Sequence, residues 1–288
     1  MNPGAKDVFD KVTKKAISGI EFSPGEDYLG EGVSYGIARG ILVFVDGRNI
    51  TGEGMGIGAV ALKSPSFSFF ARNCSTTIIT PGVIEKTFLV DSRLLWGPAD
   101  SPSILLTMVL EKIMEWYMRW PAFQFLLPCG SRVRRALGLK PFFDPVPPVA
   151  EARFTYRIEK NKITVSCTIR PLGGGFASVF ILNELAADSF THGFFKGKVI
   201  RPPSGWVRFE PGNDLFDPQA RIRFCFSYHP REGSIPEKVW WGREYTRDLR
   251  WSGFEIEFPG IDDMDKPLSC SYEVCFTGRN EDEVRRSG

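Results

Sequence analysis

The chain has 288 residues, of which 43% are hydrophobic, 13% aromatic and 24% charged, and its formal net charge is +2. These fractions are typical of a globular protein with a sizeable core, and they exclude general disorder and a collagen-like repeat. Because so small a net charge provides no global field, we expect no nucleic-acid partner. The 24 Phe and 29 Gly residues favour β structure, since Phe packs well on pleated surfaces and Gly permits turns and bulges.

The N-terminus and the cysteines bear on the cellular compartment. The first twenty residues contain no apolar run of signal-peptide length, and no stretch of 18 residues lacks charge, which argues against a transmembrane helix. The six cysteines are scattered and include no CxxC pair. We therefore expect reduced thiols and a cytoplasmic location, with membrane association as an extension of that expectation.

The N-terminal part is predicted to be mostly short strands. A short helix is predicted over residues 7–18. Residues 41–45 then lead into a turn at 46–49 and the chain returns through 50–62, as in a β-hairpin. More strands are predicted close behind, and their connections are too short for a βαβ crossover, which indicates antiparallel pairing. They cover residues 66–70, 76–79 and 83–90.

Residues 54–59 formally fit the GxGxxA pattern of a dinucleotide-binding loop. That loop must open a helix, whereas Pro65 would stop a helix almost at once. We therefore interpret the run of alternating glycines from Gly52 to Gly58 as one side of a strand, which a helix or a bulky aromatic ring approaches closely. His192 and His229 are isolated, and no cysteine pair has zinc-ligand spacing. We therefore predict neither a cofactor nor a metal.

Residues 101–139 interrupt the strands with a predicted helical segment that begins at Ser101 and Pro102. Residues 104–120 are apolar apart from one narrow stripe of Thr107, Glu111, Glu115 and Arg119. From Arg119 to Lys140 there are five basic residues and no acidic one. Aromatic and basic residues on an apolar helix are typical of interfacial membrane binding. We favour the alternative, a helix buried between two sheets, because the glutamates would be repelled by anionic lipid.

Residues 141–148 include four prolines and are predicted to be a stiff connector between two parts of the chain. Residues 1–140 would form an N-terminal β half that contains the helical segment, and residues 149–288 a C-terminal antiparallel β half. In the latter, apolar and polar residues alternate strictly, as in half-buried antiparallel strands. We predict an all-β, mainly antiparallel fold: two barrel-like or sandwich halves, of the lipocalin-like kind, with a central inserted helical segment.

The densest aromatic cluster lies near residues 240–251, where arginines are interleaved with tryptophans and a tyrosine. Such a group stacks flat ligands or lines a pocket mouth, although a loop that packs over the end of a barrel would look the same. His192, flanked by aromatic residues, is either a proton-transfer group or a structural histidine. The candidate catalytic residues are His192, Tyr245 and Arg243, and the candidate ligand-binding residues are Trp240, Trp241, Trp251 and Tyr228.

The predicted function is binding of an apolar, lipid-like or polycyclic small molecule in a barrel or inter-domain cavity. The scarcity of histidines and metal ligands leaves acid–base chemistry to Glu, Asp, Tyr and Arg. If the protein is an enzyme, we therefore expect a metal-free isomerase, a lyase such as a hydratase, or a cyclase. The alternative is a non-catalytic, membrane-peripheral or scaffold protein that makes its contact through residues 104–140.

Overall fold

The computed structural model describes residues 20–24, 36–98, 101–119, 136–173, 175–195, 198–200, 205–228, 235–245, 250–261 and 266–278. These residues form seventeen strands and one helix. The predicted all-β, mainly antiparallel fold is therefore confirmed. The helix predicted over residues 7–18 lies outside the described residues.

The strands belong to two antiparallel sheets. The small sheet contains β1 (Ile20–Ser23), β2 (Leu42–Val45) and β3 (Arg48–Asn49). The large sheet contains β4 (Gly56–Lys63), β5 (Ser68–Thr80), β6 (Val83–Pro98), β7 (Leu139–Glu159), β8 (Lys162–Pro171), β9 (Phe176–Ala186), β10 (His192–Phe195), β11 (Lys198–Ile200), β12 (Gly205–Arg208), β13 (Asn213–Asp217), β14 (Ile222–Tyr228), β15 (Lys238–Tyr245), β16 (Arg250–Ile261) and β17 (Leu268–Gly278). The helix α1 (Ile104–Arg119) comes between β6 and β7.

The hydrogen-bonded strands of the large sheet form a linear order with two edge strands and do not close into a ring. Its strand order is β11-β10-β13-β14-β17-β8-β7-β6-β5-β4-β9-β16-β15-β12. The closed, lipocalin-like barrel predicted from the sequence is therefore not found among the described strands. The two strands at the ends of this order, β11 and β12, are nevertheless consecutive along the chain.

The large sheet folds over on itself, so that its two arms face each other across an aromatic core. The ring of Phe224 on β14 lies 5.0 Å from that of Phe254 on β16. The Tyr272 hydroxyl on β17 donates a hydrogen bond to Asn183 Oδ1 on β9, at 2.8 Å. We call the side of the sheet that lines this core its inner face and the other side its outer face. The core is filled by side chains rather than hollow at these positions, and each of the two rings is fully buried.

One glycine of the alternating run allows an aromatic ring to approach the backbone closely. Gly58 on β4 has φ +73°, and a Cβ atom there would lie 2.7 Å from the ring of Tyr156 on β7. The Tyr156 hydroxyl donates a 2.6 Å hydrogen bond to the Gly58 carbonyl. The predicted close approach of an aromatic ring is thus confirmed at Gly58. The positions Gly52 and Gly54 belong to the turn before β4.

The small sheet packs onto the same core. Phe22 on β1 lies 5.8 Å from Phe276 on β17, ring to ring. The buried Lys86 ammonium on β6 donates hydrogen bonds to the carbonyls of Pro24 and Arg39, which flank the small sheet. Strands β2 and β3 form the hairpin predicted around residues 46–49. The small sheet and the large sheet therefore share one hydrophobic core.

The proline-rich residues 141–148 are extended, as predicted, but they lie within a strand. They form the first part of β7 and pair with β6, for example Pro145 with Ser92 and Phe142 with Leu95. The register shifts between Val90 and Ser92, which accommodates the prolines beside a continuous partner strand. A division of the chain into two domains at this segment stays a prediction.

Candidate functional site

Helix α1 begins at a serine cap two residues beyond the predicted start. The Ser103 hydroxyl accepts a hydrogen bond from the Leu106 amide at 3.3 Å, and the Ser103 carbonyl accepts one from the Thr107 amide at 3.0 Å. Ser103 also forms an isolated bridge with Trp96 on β6. The cap therefore joins the start of the helix directly to the end of β6.

Thr107 and Glu111, the first two residues of the polar stripe of α1, face the sheet. Thr107 is fully buried, and its hydroxyl accepts a hydrogen bond from the Trp96 amide at 2.7 Å while donating one to the Ser103 carbonyl. One turn later, the Glu111 carboxylate accepts a 3.1 Å hydrogen bond from the Ser68 hydroxyl and lies 3.5 Å from the Lys63 ammonium. Polar contacts with β4, β5 and β6 thus hold this side of the helix.

The opposite side of α1 is apolar and faces solvent. At about 100° per residue, Leu105, Val109 and Trp116 lie within roughly 20° of the direction opposite Thr107. We call the group of Leu105, Met108, Val109, Ile113 and Trp116 the apolar face; these side chains are 73%, 38%, 49%, 43% and 47% exposed, respectively. Together with Lys112 they line an open groove along the helix. The favoured interpretation of a helix buried between two sheets is therefore wrong, because these five apolar side chains are exposed.

Within the described parts of the chain, no helix has the length and apolar character needed to cross a membrane.

A second feature is a pair of glutamates on the outer face of β9 and β16. Glu184 lies opposite Gly253, and Glu255 follows two positions later on the same face, so the two carboxyl groups are diagonal neighbours. Burial raises the pKa of Glu184 to about 7, although a 3.2 Å hydrogen bond from the Met55 amide opposes this shift. Burial also raises the pKa of Glu255 well above its usual value, and the Glu184 charge adds to that effect. Such a pair can hold a proton near neutral pH.

Two of the predicted ligand-binding tryptophans lie on this outer face. Trp240 on β15 is directly opposite Glu255, and its indole N–H donates a 2.7 Å hydrogen bond to the Glu257 carboxylate. Trp251 is stacked on Trp206, with ring centroids 3.9 Å apart. Trp241 instead belongs to the inner face, is 4% exposed and packs against Gly193 of β10.

The predicted catalytic residues are only partly brought together. The Arg243 guanidinium lies 4.7 Å from the Tyr245 ring centroid and donates hydrogen bonds to the Ala187 carbonyl. The Nδ1 atom of His192 lies 2.8 Å from the Thr191 hydroxyl oxygen. Because successive side chains of a strand alternate, His192 lies on the side of β10 opposite the contact that Gly193 makes with Trp241.

Tyr228, the remaining predicted ligand-binding residue, lies at the end of β14 and is half-buried. Burial raises its pKa to about 12. The ligand-binding and catalytic roles of these predicted residues stay predictions. Among the residues described, no group of three or more His, Cys, Asp and Glu side chains is arranged to hold a metal ion.

Sequence reasoning missed Glu184 and Glu255 as a pair. The alternation of β16 marks Glu255 only as a polar residue between Phe254 and Ile256, and Glu184 follows an apolar run. A single strand pattern does not reveal which distant strand pairs with it, so no local signal could place the two carboxyl groups side by side.

Comparison with known proteins gives weak structural similarities only. No protein-family model matches the chain, and no curated protein does so by sequence. A 4-alpha-glucanotransferase from Thermococcus litoralis aligns with 77% of this chain at 9% identity and a TM-score of 0.34, and this chain spans only 27% of its length. A galactose mutarotase-like protein from Clostridium acetobutylicum gives 7% identity, coverage of 77% and 79%, and a TM-score of 0.34. A galactose mutarotase related enzyme from Lactobacillus acidophilus gives 9% identity, coverage of 86% and 94%, and a TM-score of 0.35. Sequence identities and TM-scores this low say nothing about the activity of the chain.

Proposed function

We propose that this protein attaches peripherally to anionic membrane surfaces through α1. The observation that carries this proposal is the orientation of the helix, whose Thr107 and Glu111 are bonded to the sheet while its apolar face points to solvent. A helix with that orientation leaves five large apolar side chains in water. Exposure of apolar side chains to water is unfavourable, and inserting them into the boundary between lipid headgroups and acyl chains removes this unfavourable free energy.

The charges around the helix favour anionic rather than neutral lipid. Lys112 is exposed and lines the groove beside the apolar face, and the long aliphatic stem of a lysine keeps its charge near such a surface. Lys140 is exposed on β7 and pairs with Gly97, shortly before the chain enters α1. Arg132, Arg134 and Arg135 lie outside the described residues and add three positive charges to the sequence between α1 and Lys140.

Repulsion between acidic residues of the helix and anionic lipid argued against membrane binding, but it does not apply to Glu111. Its carboxylate is turned toward Lys63 and Ser68 and away from the surface that would meet lipid. A carboxylate already paired with an ammonium group is not strongly repelled by an anionic surface, because the pair carries no net charge.

Vesicle flotation tests the proposal directly. The full chain should float with vesicles of phosphatidylcholine containing phosphatidylglycerol at low salt, and weakly or not at all with phosphatidylcholine alone. Changing Arg132, Arg134 and Arg135 to Ser should weaken the anionic binding, since each basic residue near such a surface contributes about 1 kcal/mol. Absence of flotation under every condition would overturn the proposal.

A second candidate function, acid–base conversion of a small molecule, is favoured by the glutamate pair. A carboxyl group that is half-protonated near pH 7 can give and accept protons, and the neighbouring Trp240 ring offers a surface for a flat apolar ligand. This arrangement supports the isomerase-, lyase- or cyclase-type chemistry predicted from the sequence. The protein should then copurify with an apolar small molecule detectable by mass spectrometry after extraction.

The two candidates differ in their dependence on Glu184. Changing Glu184 to Gln should reduce recovery of the small molecule while vesicle binding is unchanged. Equal recovery from the variant and the wild-type protein would count against a ligand site at the glutamate pair.

A further inference from the structure

Four of the six cysteines form two pairs on either side of β17. Cys270 is directly opposite Cys167 on β8, and Cys275 is directly opposite Cys225 on β14. Directly opposed residues of antiparallel strands have Cα atoms about 4.5 or 5.5 Å apart, and both separations suit a disulfide. Both pairs are therefore positioned for a cross-strand bond, although neither is bonded: all four are free thiols.

The two pairs occupy opposite faces of the sheet, because residues 270 and 275 differ by an odd number of positions. Cys167 and Cys270 are buried in the hydrophobic core, with sulfur atoms 3.1 Å apart. Cys225 and Cys275 are half-buried on the outer face. Only the outer pair combines direct opposition with access for a reagent, so the inner pair serves as an internal control that is directly opposed but buried.

The surroundings of the outer pair prepare one sulfur as the nucleophile. The interaction between the two thiols lowers the pKa of Cys275 and raises that of Cys225, whose sulfur also lies 3.7 Å from the Thr277 hydroxyl. The positive charge of Arg223 also favours the Cys275 thiolate, whereas Asp214 and Glu273 oppose it. A thiolate with solvent access is the reactive form of cysteine.

We propose that Cys225 and Cys275 are a reversible oxidation site, at which a low-molecular-weight disulfide converts the two thiols into a cross-strand disulfide between β14 and β17. In the first step, the Cys275 thiolate attacks one sulfur of the reagent, a mixed disulfide forms and one small thiolate leaves. In the second step, the Cys225 sulfur attacks Cys275 Sγ and the second small thiolate leaves. The two protons of the cysteines end on the two released thiols, so the protein loses two electrons and the reagent gains them.

The new bond would link positions 225 and 275, which enclose β15 and β16. Closing a loop of this length restricts the unfolded chain, so the oxidised protein should melt roughly 5–10 °C higher than the reduced protein. Reduction by an excess of a dithiol would restore the original melting temperature.

The experiment treats the folded full-length protein with glutathione disulfide, stops the reaction with an alkylating reagent and maps all cysteines by peptide mass spectrometry. We expect the peptide linked through Cys225 and Cys275 to accumulate at least roughly tenfold faster than that linked through Cys167 and Cys270, because the inner thiols are buried. After denaturation in guanidinium chloride this preference should disappear. Faster linkage of the inner pair, or modification without a link between Cys225 and Cys275, would overturn the proposal.

Two variants test whether Cys275 reacts first with the reagent and Cys225 then completes the disulfide. Cys225→Ser should accumulate the mixed disulfide at Cys275, because the second step has no attacking thiol. Cys167→Ser, which leaves the outer pair intact, should form the Cys225–Cys275 link at the wild-type rate. A Cys225→Ser protein that is not glutathionylated at Cys275 would contradict the assignment of Cys275 as the nucleophile.

Discussion

Replacing Leu105 with Ser tests membrane attachment at the most exposed position of the apolar face. Burial of a whole leucine side chain contributes about 2 kcal/mol, and Leu105 is 73% exposed, so its insertion into lipid should contribute about 1.5 kcal/mol. Because every 1.4 kcal/mol is a factor of ten in an equilibrium constant, the substitution should weaken partitioning onto vesicles about tenfold. Adding Val109→Ser, at 49% exposure, should extend the loss to roughly 70-fold.

The assay is cosedimentation with sucrose-loaded vesicles that contain phosphatidylglycerol, with lipid titrated at constant protein. Ile235 provides a matched control, because it is 74% exposed and lies outside α1. Ile235→Ser should bind as the wild-type protein does. The free energy of unfolding should change by less than about 0.5 kcal/mol in each single variant, since both side chains are on the surface. Binding by Leu105→Ser within twofold of wild type, or an equal loss in Ile235→Ser, would refute the reasoning.

Three other predictions concern the fold and the glutamate pair. A carboxyl group with a raised folded-state pKa destabilises the fold as pH rises from 4.5 to about 7, so the free energy of unfolding of Glu184→Gln should rise by about 3 kcal/mol relative to wild type across that window. Urea unfolding of both proteins at stepped pH measures this difference, and a difference that does not change with pH would contradict the prediction. Gly58→Ala should lower the free energy of unfolding by about 2 kcal/mol or more, whereas Gly173→Ala, where a Cβ meets nothing within 4 Å, should not. Trp241→Ala should cost about 3–5 kcal/mol in the same measurement, and an unchanged melting temperature would place its ring outside the core.

The strands could largely be predicted from the sequence because alternation is a local property. The hairpin around residues 46–49 and the amphipathic strands after residue 149 appear in the structure where the pattern indicated them. The continuity of the sheet through residues 141–148 could not be predicted, because prolines favour an extended chain both in a connector and beside a bulge.

The orientation of α1 could not be predicted for a different reason. A periodic pattern shows that a helix has a polar side and an apolar side, but not which side meets the rest of the protein. We assumed that the apolar side packs. The hydroxyl of Thr107 and the carboxylate of Glu111 instead find partners on β4 to β6, contacts between residues whose proximity depends on the whole sheet.

The same limit applies to the paired side chains of the sheet. Cys225 and Cys275 are 50 positions apart, and Glu184 and Glu255 are 71 apart. Their proximity follows from the register of β14 with β17 and of β9 with β16. Shifting either register by one residue would move one partner to the other face, so composition alone cannot indicate these pairs.

The adjacency of β11 and β12 along the chain has a consequence for the mechanics of the large sheet. Residues 201–204 link the end of one edge strand to the start of the other, and five peptide steps from Ile200 to Gly205 span at most about 18 Å. The chain itself therefore connects the two edge strands of the fourteen-stranded sheet, which are not paired with each other. The end of β11 and the start of β12 therefore lie within about 18 Å of each other. A cut between Ile200 and Gly205 would remove this covalent link between the two edges, while the aromatic core between β14 and β16 would still hold the arms together.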